Sequence, residues 1–165
     1  MFITMSQSVS SSEFLSEHIK PPEALAGFGS IYVQNVVWND MDAFNHVNNV
    51  VYYRYAESAR INYLNELGAF SNEVTTVLAQ SSCTYLKPVV FPDTLLIGVR
   101  TKKLGNTSII MEYAYFSTAQ QALVATGESV LVRLNKEGTK KLPWSTTERS
   151  NILAFEKAAG HSPQI

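Results

Sequence analysis

The sequence is poor in cysteine and has no excess of positive charge. Cys83 is the single cysteine among 165 residues, so an internal disulfide is excluded and we predict a protein of a reducing compartment, the cytoplasm. The 13 Lys and Arg residues are balanced by 14 Asp and Glu residues, giving a net charge of -1. A nucleic-acid-binding surface would need a basic excess, so no nucleic-acid partner is expected.

Several longer patterns are also missing from the sequence. No apolar run approaches the length that spans a bilayer, so no membrane span is predicted. The chain has no Cys/His metal-ligand spacing, no glycine-rich phosphate loop and no G-x-S-x-G nucleophile motif. We therefore predict neither a metal site nor a cofactor.

The composition, 45% hydrophobic and 16% charged, is typical of one globular domain with a sizeable core. We assign residues 30–160 to that domain, residues 1–29 to an N-terminal extension and residues 161–165 to a C-terminal tail. In the extension, the helical spacing of Phe14, Leu15 and Ile19 predicts a short helix packed on the domain. Its three glutamates and lack of arginine argue against a mitochondrial presequence.

The order of elements predicts an α+β fold with an antiparallel sheet. Ile31 to Trp38 reads as a first strand, and Val50 to Leu67 follows the helical period up to Gly68, a natural C-cap. Four further strands are predicted at Val74 to Tyr85, Thr94 to Leu104, Ser108 to Ser117 and Ala122 to Leu134. The short links between the last three imply antiparallel neighbours. Ser145 or Thr146 can cap a final helix that ends near Ala159 and Gly160.

The segment between the first strand and the long helix carries the candidate chemistry. It reads WNDMDAFNHVNN and places Asp40, Asp42 and His46 just ahead of a helix N-terminus. Free backbone N–H groups and the helix dipole attract negative charge there. A carboxylate at such a place can attack a carbonyl, or activate water to do so, while the N–H groups stabilise the oxyanion.

The same residues, followed by Tyr52, Glu57 and Arg60, resemble the signature D-x-D-x-x-G-H-V-N-N, Y, E-x-x-R of hotdog-fold acyl-CoA thioesterases of the 4-hydroxybenzoyl-CoA thioesterase type. The resemblance is dense over residues 38–68 and continues loosely to about residue 133. Asn45 replaces the usual glycine, and asparagine tolerates the left-handed backbone that such a turn needs. The resemblance implies a hotdog fold, in which a sheet of about five strands wraps around one long central helix. It also implies a homodimer or homotetramer.

The resemblance also assigns catalytic roles. Asp42 is the expected nucleophile or general base, although an aspartate here can also simply cap the helix or close an Asx-turn. His46 would orient Asp42 or contact the thioester oxygen, or be an ordinary hydrogen-bonded turn histidine. The backbone N–H of Asn49 would point at the thioester carbonyl. We interpret Asp40 as structural, binding backbone N–H groups in the turn.

Substrate-binding candidates are less specific. Tyr52 can line an acyl pocket or belong to the core, and Glu57 can contact substrate or act as a second candidate carboxylate, unless it only pairs with Arg60. The phosphates of coenzyme A require basic or polar partners, and we assign Lys102, Lys103, Thr107 and Ser108, at the predicted hairpin, to this role. Further cations are candidates by charge alone: Lys87, Arg100 and Arg133.

Together with the candidate chemistry of the motif, the resemblance implies an enzyme that hydrolyses acyl thioesters, with acyl-CoA as the substrate. One alternative is a biosynthetic thioesterase that uses an acyl-carrier protein, which hydrolysis of the same acyl group on both carriers would distinguish. The other alternative is a non-catalytic acyl-binding hotdog module, for which Asp42→Ala would change no measurable activity.

Overall fold

Five antiparallel strands, one long helix and one C-terminal helix make up the described part of the chain. The computed structural model describes residues 21–69 and 74–165, so the helix predicted around Phe14 to Ile19 lies outside the described residues. In chain order the elements are β1 (Ser30–Asn35), α1 (Asn49–Glu66), β2 (Val74–Tyr85), β3 (Thr94–Leu104), β4 (Ser108–Ser117), β5 (Ala122–Asn135) and α2 (Thr146–Ala158). Single 3-10 turns occur at Glu23–Leu25 and Trp38–Asp40.

The strands form one sheet in the order β1-β3-β4-β5-β2, and every neighbouring pair is antiparallel. The β3–β4 hairpin closes where the N–H of Gly105 donates to the carbonyl of Ser108 at 2.9 Å. The predicted antiparallel arrangement is confirmed. Strands β1 and β2 lie at the two edges of the sheet, far from each other.

Helix α1 lies across one face of this sheet. Four residues of the apolar stripe that the helical period predicts are at 4% exposure or less: Tyr52, Ala56, Ala59 and Tyr63. The fifth, Leu67, is partly buried. These side chains pack in one core cluster with strand residues such as Ile97. Burying a large apolar side chain contributes roughly 1.5–3 kcal/mol, so this stripe fixes the helix firmly against the sheet.

The other face of the sheet is covered in part by residues 21–29. Leu25 and Phe28 join a second apolar cluster that includes Phe116. The Phe28 ring lies against Gly98, where a side chain would collide with it, and the Arg100 guanidinium stacks on that ring at 4.3 Å from its centroid. This part of the assigned extension is therefore packed on the domain.

The first strand ends three residues earlier than predicted. It ends at Asn35 rather than Trp38 because the Val37 N–H donates to the Asp40 carboxylate at 3.1 Å, which turns the chain into the 3-10 turn. At the end of α1, Gly68 adopts a positive φ of 62°, as expected for its place. Ser145 caps α2 in a capping box with Glu148. No helix among the described residues is long and apolar enough to cross a membrane.

Candidate active site

The segment ahead of α1 is held in place by a buried carboxylate. Asp40 is 3% exposed and accepts hydrogen bonds from the Tyr55 hydroxyl at 2.5 Å and from the Val37 N–H, in addition to an ion pair with Arg54. Burial alone would raise its pKa, but these partners outweigh burial and hold the pKa of the Asp40 carboxyl below its usual value. Its own carbonyl accepts the Asn48 N–H at 2.8 Å. Asp40 therefore joins the start of the loop, the helix and the helix cap.

Beyond Asp40 the chain forms a tight reversal. Met41 pairs with Val47 in an antiparallel bridge, and the Asp42 N–H donates to the His46 carbonyl at 2.9 Å. Asn45 closes the reversal with a φ of 61°, the left-handed conformation expected at the position where the motif has glycine. The reversal brings Asp42 and His46 to its two sides, directly before the helix.

Asp42 itself is half-buried, with its two carboxylate oxygens in different situations. Oδ1 accepts the Phe44 N–H at 2.9 Å, which is the Asx-turn considered as the structural alternative. Oδ2 has no hydrogen-bond partner within residues 21–69 and 74–165. One oxygen therefore fixes the side chain while the other is available to a ligand.

The start of α1 provides the neighbouring amides. Asn48 is the N-cap, and its side-chain oxygen accepts the Val50 N–H at 3.0 Å. Asn49 is the first helical residue, and its N–H has no acceptor in the described part of the chain. Its carbonyl accepts the Tyr85 hydroxyl at 3.0 Å. The helix thus presents a free N–H of the kind that stabilises a developing oxyanion.

A cleft of about 350 Å³ lies where these features meet. Two segments line this cleft. The motif and the first turn of α1 contribute Asp42, His46, Val47, Asn49 and Tyr52. The end of β2 and the residues after it contribute Tyr85, Leu86, Lys87 and Pro88. The ring of Tyr52 packs edge-on against Tyr85 and Tyr115, with centroids 5.1 and 5.6 Å apart. The cleft therefore combines a polar side with an aromatic and apolar side.

Tyr52 is almost fully buried at the base of this arrangement. Burial, assisted by the nearby Cys83 and Asp93, raises its pKa to about 12. The phenol is therefore neutral at physiological pH, so it can shape the cleft and form hydrogen bonds but cannot supply a phenolate base. Burial likewise raises the pKa of the Cys83 thiol, which keeps it protonated.

Of the residues assigned from the sequence, Asp42, His46, Asn49 and Tyr52 all line this one cleft. The structure does not bring Glu57 there, because its side chain is 62% exposed and lies 3.9 Å from the guanidinium of Arg60.

The hairpin residues assigned to phosphate binding are also absent from the lining of the cleft in this chain. Lys102 forms an ion pair with Glu128. The carbonyl of Thr107 accepts the Arg133 N–H, and that of Ser108 accepts the Gly105 N–H. Lys103 is exposed and its backbone pairs with Gln164 of the C-terminal segment.

Sequence reasoning missed most of the second wall of the cleft. In the sequence, Tyr85 marks only the end of a predicted strand, and the residues up to Pro88 mark only the interruption that follows it. The link that brings them to the motif is the hydrogen bond from the Val47 N–H to the carbonyl of Val89 at 2.8 Å, which joins positions 42 residues apart. The described residues contain no group of three His, Cys, Asp or Glu side chains that could hold a metal ion.

The chain is similar to known proteins over most of its length. The model of the "Thioesterase-like superfamily" matches residues 36–152. The uncharacterized protein YsmA of Bacillus subtilis is 31% identical over 121 residues, 72% of this chain and 82% of that protein.

Two solved structures extend the likeness to three dimensions. A thioesterase from Thermus thermophilus, crystallised with coenzyme A and Zn, is 34% identical with a TM-score of 0.69, covering 79% of this chain and 97% of that one. The PA5185 protein of Pseudomonas aeruginosa is 30% identical with a TM-score of 0.70, covering 82% and 93%. The chain belongs to the thioesterase-like superfamily, and its five-stranded sheet packed around one long helix is the hotdog fold.

Proposed function

We propose that the protein hydrolyses acyl thioesters, with coenzyme A as the carrier, and that within its superfamily it is of the 4-hydroxybenzoyl-CoA thioesterase type. One observation carries the proposal. The half-buried carboxylate of Asp42 and the first residue of α1 line the same cleft, and among the described residues one Asp42 oxygen and the Asn49 N–H have no partner.

The two groups have complementary tasks in the reaction. Attack of an oxygen on the acyl carbon opens the C=O bond, and the negative charge that moves onto its oxygen is stabilised by the Asn49 N–H and the helix N-terminus. Collapse of this intermediate breaks the C–S bond and expels a thiolate. The net reaction adds water across the C–S bond and yields a carboxylic acid and a thiol.

Asp42 supplies the attacking oxygen in one of two ways. As a nucleophile it forms a mixed anhydride that water then cleaves, and as a general base it takes a proton from the attacking water. His46 lines the same cleft, where a neutral imidazole can donate to, and accept from, Asp42 or the thioester oxygen. Label found on Asp42 after single-turnover hydrolysis in ¹⁸O-labelled water identifies the nucleophilic route, because only water attack on the Asp42 carbonyl of an anhydride places that oxygen in the enzyme.

The choice of coenzyme A as carrier is supported by one relative. The Thermus thermophilus thioesterase, 34% identical, was crystallised with coenzyme A. The alternative carrier, an acyl-carrier protein, presents the same phosphopantetheine arm. Hydrolysis rates for one acyl group on each carrier distinguish the two.

We further propose that the functional unit is a homodimer, or a tetramer built from it, and that it works in the cytoplasm. Edge strand β2 exposes Val77 and Leu78 at 41% and 49%, and unpaired edges with apolar side chains are suited to pairing with another chain. Around the cleft, Phe44 and Leu86 are exposed at 79% and 52%. A second copy that covered these residues would exclude water from the reacting groups.

The decisive test is hydrolysis by the Asp42→Asn variant. Asparagine keeps an oxygen for the Phe44 N–H, so the turn and the fold are retained while the nucleophile or base is lost. We expect turnover to fall by roughly two to four orders of magnitude, measured by thiol release over a panel of acyl-CoA chain lengths. Glu137→Gln, an exposed carboxylate outside the cleft, is the matched control.

The Glu57→Gln variant tests the second carboxylate. Its turnover should stay close to that of the native protein, since Glu57 does not line the cleft. A folded Asp42→Asn protein with native turnover would remove Asp42 from the mechanism. If Glu57→Gln were the inactive variant, the catalytic carboxylate would lie on the helix.

A further inference from the structure

Lys87 differs from the other lysines and arginines of the described residues in its position, because it alone lines the cleft. Five cations form ion pairs with carboxylates: Arg54 with Asp40, Arg60 with Glu57, Arg100 with Glu112, Lys102 with Glu128 and Arg133 with Glu148. None of these five lines the cleft. Lys87 does, and over residues 21–69 and 74–165 its amine forms no ion pair.

Lys87 and Asp42 line the same cleft without forming an ion pair with each other. Contact between them would neutralise the carboxylate that the reaction needs and the cation that an anionic ligand needs. Keeping opposite charges apart in a single cleft leaves both free for different parts of one ligand. Asp42 faces the thioester in the proposed function, so the amine is left for an anionic group on the carrier side.

The backbone holds Lys87 at a fixed place relative to the motif. The N–H groups of Leu86 and Lys87 both donate to the carbonyl of Val124, at 2.8 and 3.1 Å. Two residues later, the carbonyl of Val89 accepts the Val47 N–H from the loop that carries Asp42. The side chain itself is exposed, so its amine can reach a ligand without a large desolvation cost.

We propose that Lys87 is the anion-binding residue of the cleft and takes a phosphate of the thioester's phosphopantetheine-containing carrier. This deepens, and rests on, the proposed thioester hydrolysis, which places such a carrier in the cleft. An ammonium group is a compact point charge with three donors, and lysine is a common phosphate ligand. The phosphate comes from either of two sources, coenzyme A or the prosthetic group of a carrier protein.

Titration calorimetry tests this without any turnover. Coenzyme A, 4′-phosphopantetheine and pantetheine are each titrated into the native protein, Lys87→Met, Lys87→Arg and the control Lys136→Met, whose lysine is also exposed but does not line the cleft. We expect Lys87→Met to weaken coenzyme A binding about tenfold, the scale of one hydrogen bond to a charged group. Pantetheine, which has no phosphate, should bind both proteins equally.

The other ligands and variants in the titration show which phosphate Lys87 contacts. An equal loss for 4′-phosphopantetheine assigns the contact to the phosphate shared with carrier proteins, and a loss for coenzyme A alone assigns it to the nucleotide end. Lys87→Arg should restore affinity to within about threefold, because guanidinium keeps the charge. Added salt should weaken binding to the native protein more than to Lys87→Met.

Three results would overturn the inference: unchanged coenzyme A affinity in Lys87→Met, an equal loss for pantetheine, or a native protein that binds neither phosphorylated ligand. Asp42→Asn in the same titration keeps this result separate from the proposed function. If Asp42→Asn binds coenzyme A normally and Lys87→Met does not, Lys87 holds the carrier whatever the outcome for hydrolysis. If hydrolysis depends on Asp42 while Lys87→Met binds normally, only the Lys87 assignment fails.

Discussion

The hydroxyl of Tyr63 in α1 donates to Oε1 of Glu156 in α2 at 2.6 Å, and both residues are fully buried. The same carboxylate oxygen accepts the N–H of Thr101 in β3 at 2.6 Å. One side chain therefore joins the long helix, the C-terminal helix and the sheet. Burial, together with the Glu156 charge, raises the pKa of Tyr63 and keeps it the donor of this hydrogen bond.

Truncation of this carboxylate should destabilise the protein strongly. In Glu156→Ala, the Tyr63 hydroxyl loses this acceptor and the Thr101 N–H is left buried without one. We expect the free energy of unfolding to fall by about 3 kcal/mol. Urea denaturation followed by circular dichroism measures this as a lower midpoint with an unchanged slope.

Two further variants give this result its meaning. Glu156→Gln keeps an oxygen acceptor at the same place and should lose less stability than Glu156→Ala. Lys157→Ala, the exposed neighbour on the same helix, should stay within about 0.5 kcal/mol of the native protein. A Glu156→Ala protein with native stability would show that α2 is held by its apolar contacts alone.

Asp40 should make stability depend on pH in the acid range. Its folded-state pKa is lower than the ordinary value of 3.8, so the folded protein binds its proton more weakly than the unfolded chain does. The stabilisation is therefore fully present above the unfolded-state pKa and is lost as pH falls through the folded-state pKa. When thermal midpoints are measured at a series of pH values from 7 downwards, they should decrease once the pH is below about 4.

Asp40→Asn is the variant that isolates this contribution. Without the ionisable group, the drop below about pH 4 should be shallower than in the native protein, and the stability at pH 7 should be lower. Glu137→Gln, an exposed carboxylate, provides the matched control. Parallel pH curves for Asp40→Asn and the native protein would contradict the assignment.

The sequence predicted the long helix because its signals are local. The apolar period from Tyr52 to Tyr63 and Gly68 at the far end are each readable within a few residues. The structure has the helix at Asn49–Glu66, against the predicted Val50 to Leu67. The left-handed conformation of Asn45 was likewise predictable, because it depends on one residue and its turn.

What could not be predicted depends on contacts between distant segments. By propensity, the strand should continue through Val36, Val37 and Trp38. It ends earlier because the Val37 N–H donates to the Asp40 carboxylate instead of to a neighbouring strand. The wall formed by Tyr85 to Pro88 meets the motif through strand pairing, through the Val47–Val89 hydrogen bond and through the Tyr85 hydroxyl on the Asn49 carbonyl. Neither leaves a periodic or compositional signal at the residues involved.

The basic residues show the same limit. The sequence analysis assigned a phosphate contact to Lys102 and left Lys87 as a further candidate by charge alone. Folding pairs Lys102 with Glu128 on the sheet and leaves Lys87 in the cleft. Only the positions of the carboxylates around them, set by strand register, separate the two.

The exposed edge of β2 gives the last prediction, on assembly. We expect the native protein to be a dimer at micromolar concentration, and Leu78→Lys to shift it towards monomer because a charge replaces an apolar contact on the edge strand. Sedimentation velocity measures the shift, and thiol release measured on the same samples should fall with the dimer fraction. Ile165→Lys makes the same chemical change at a residue that is 79% exposed near the C-terminus, and it should leave both readouts unchanged. A native protein that sediments as a monomer while hydrolysing thioesters at full rate would show that one chain completes the cleft by itself.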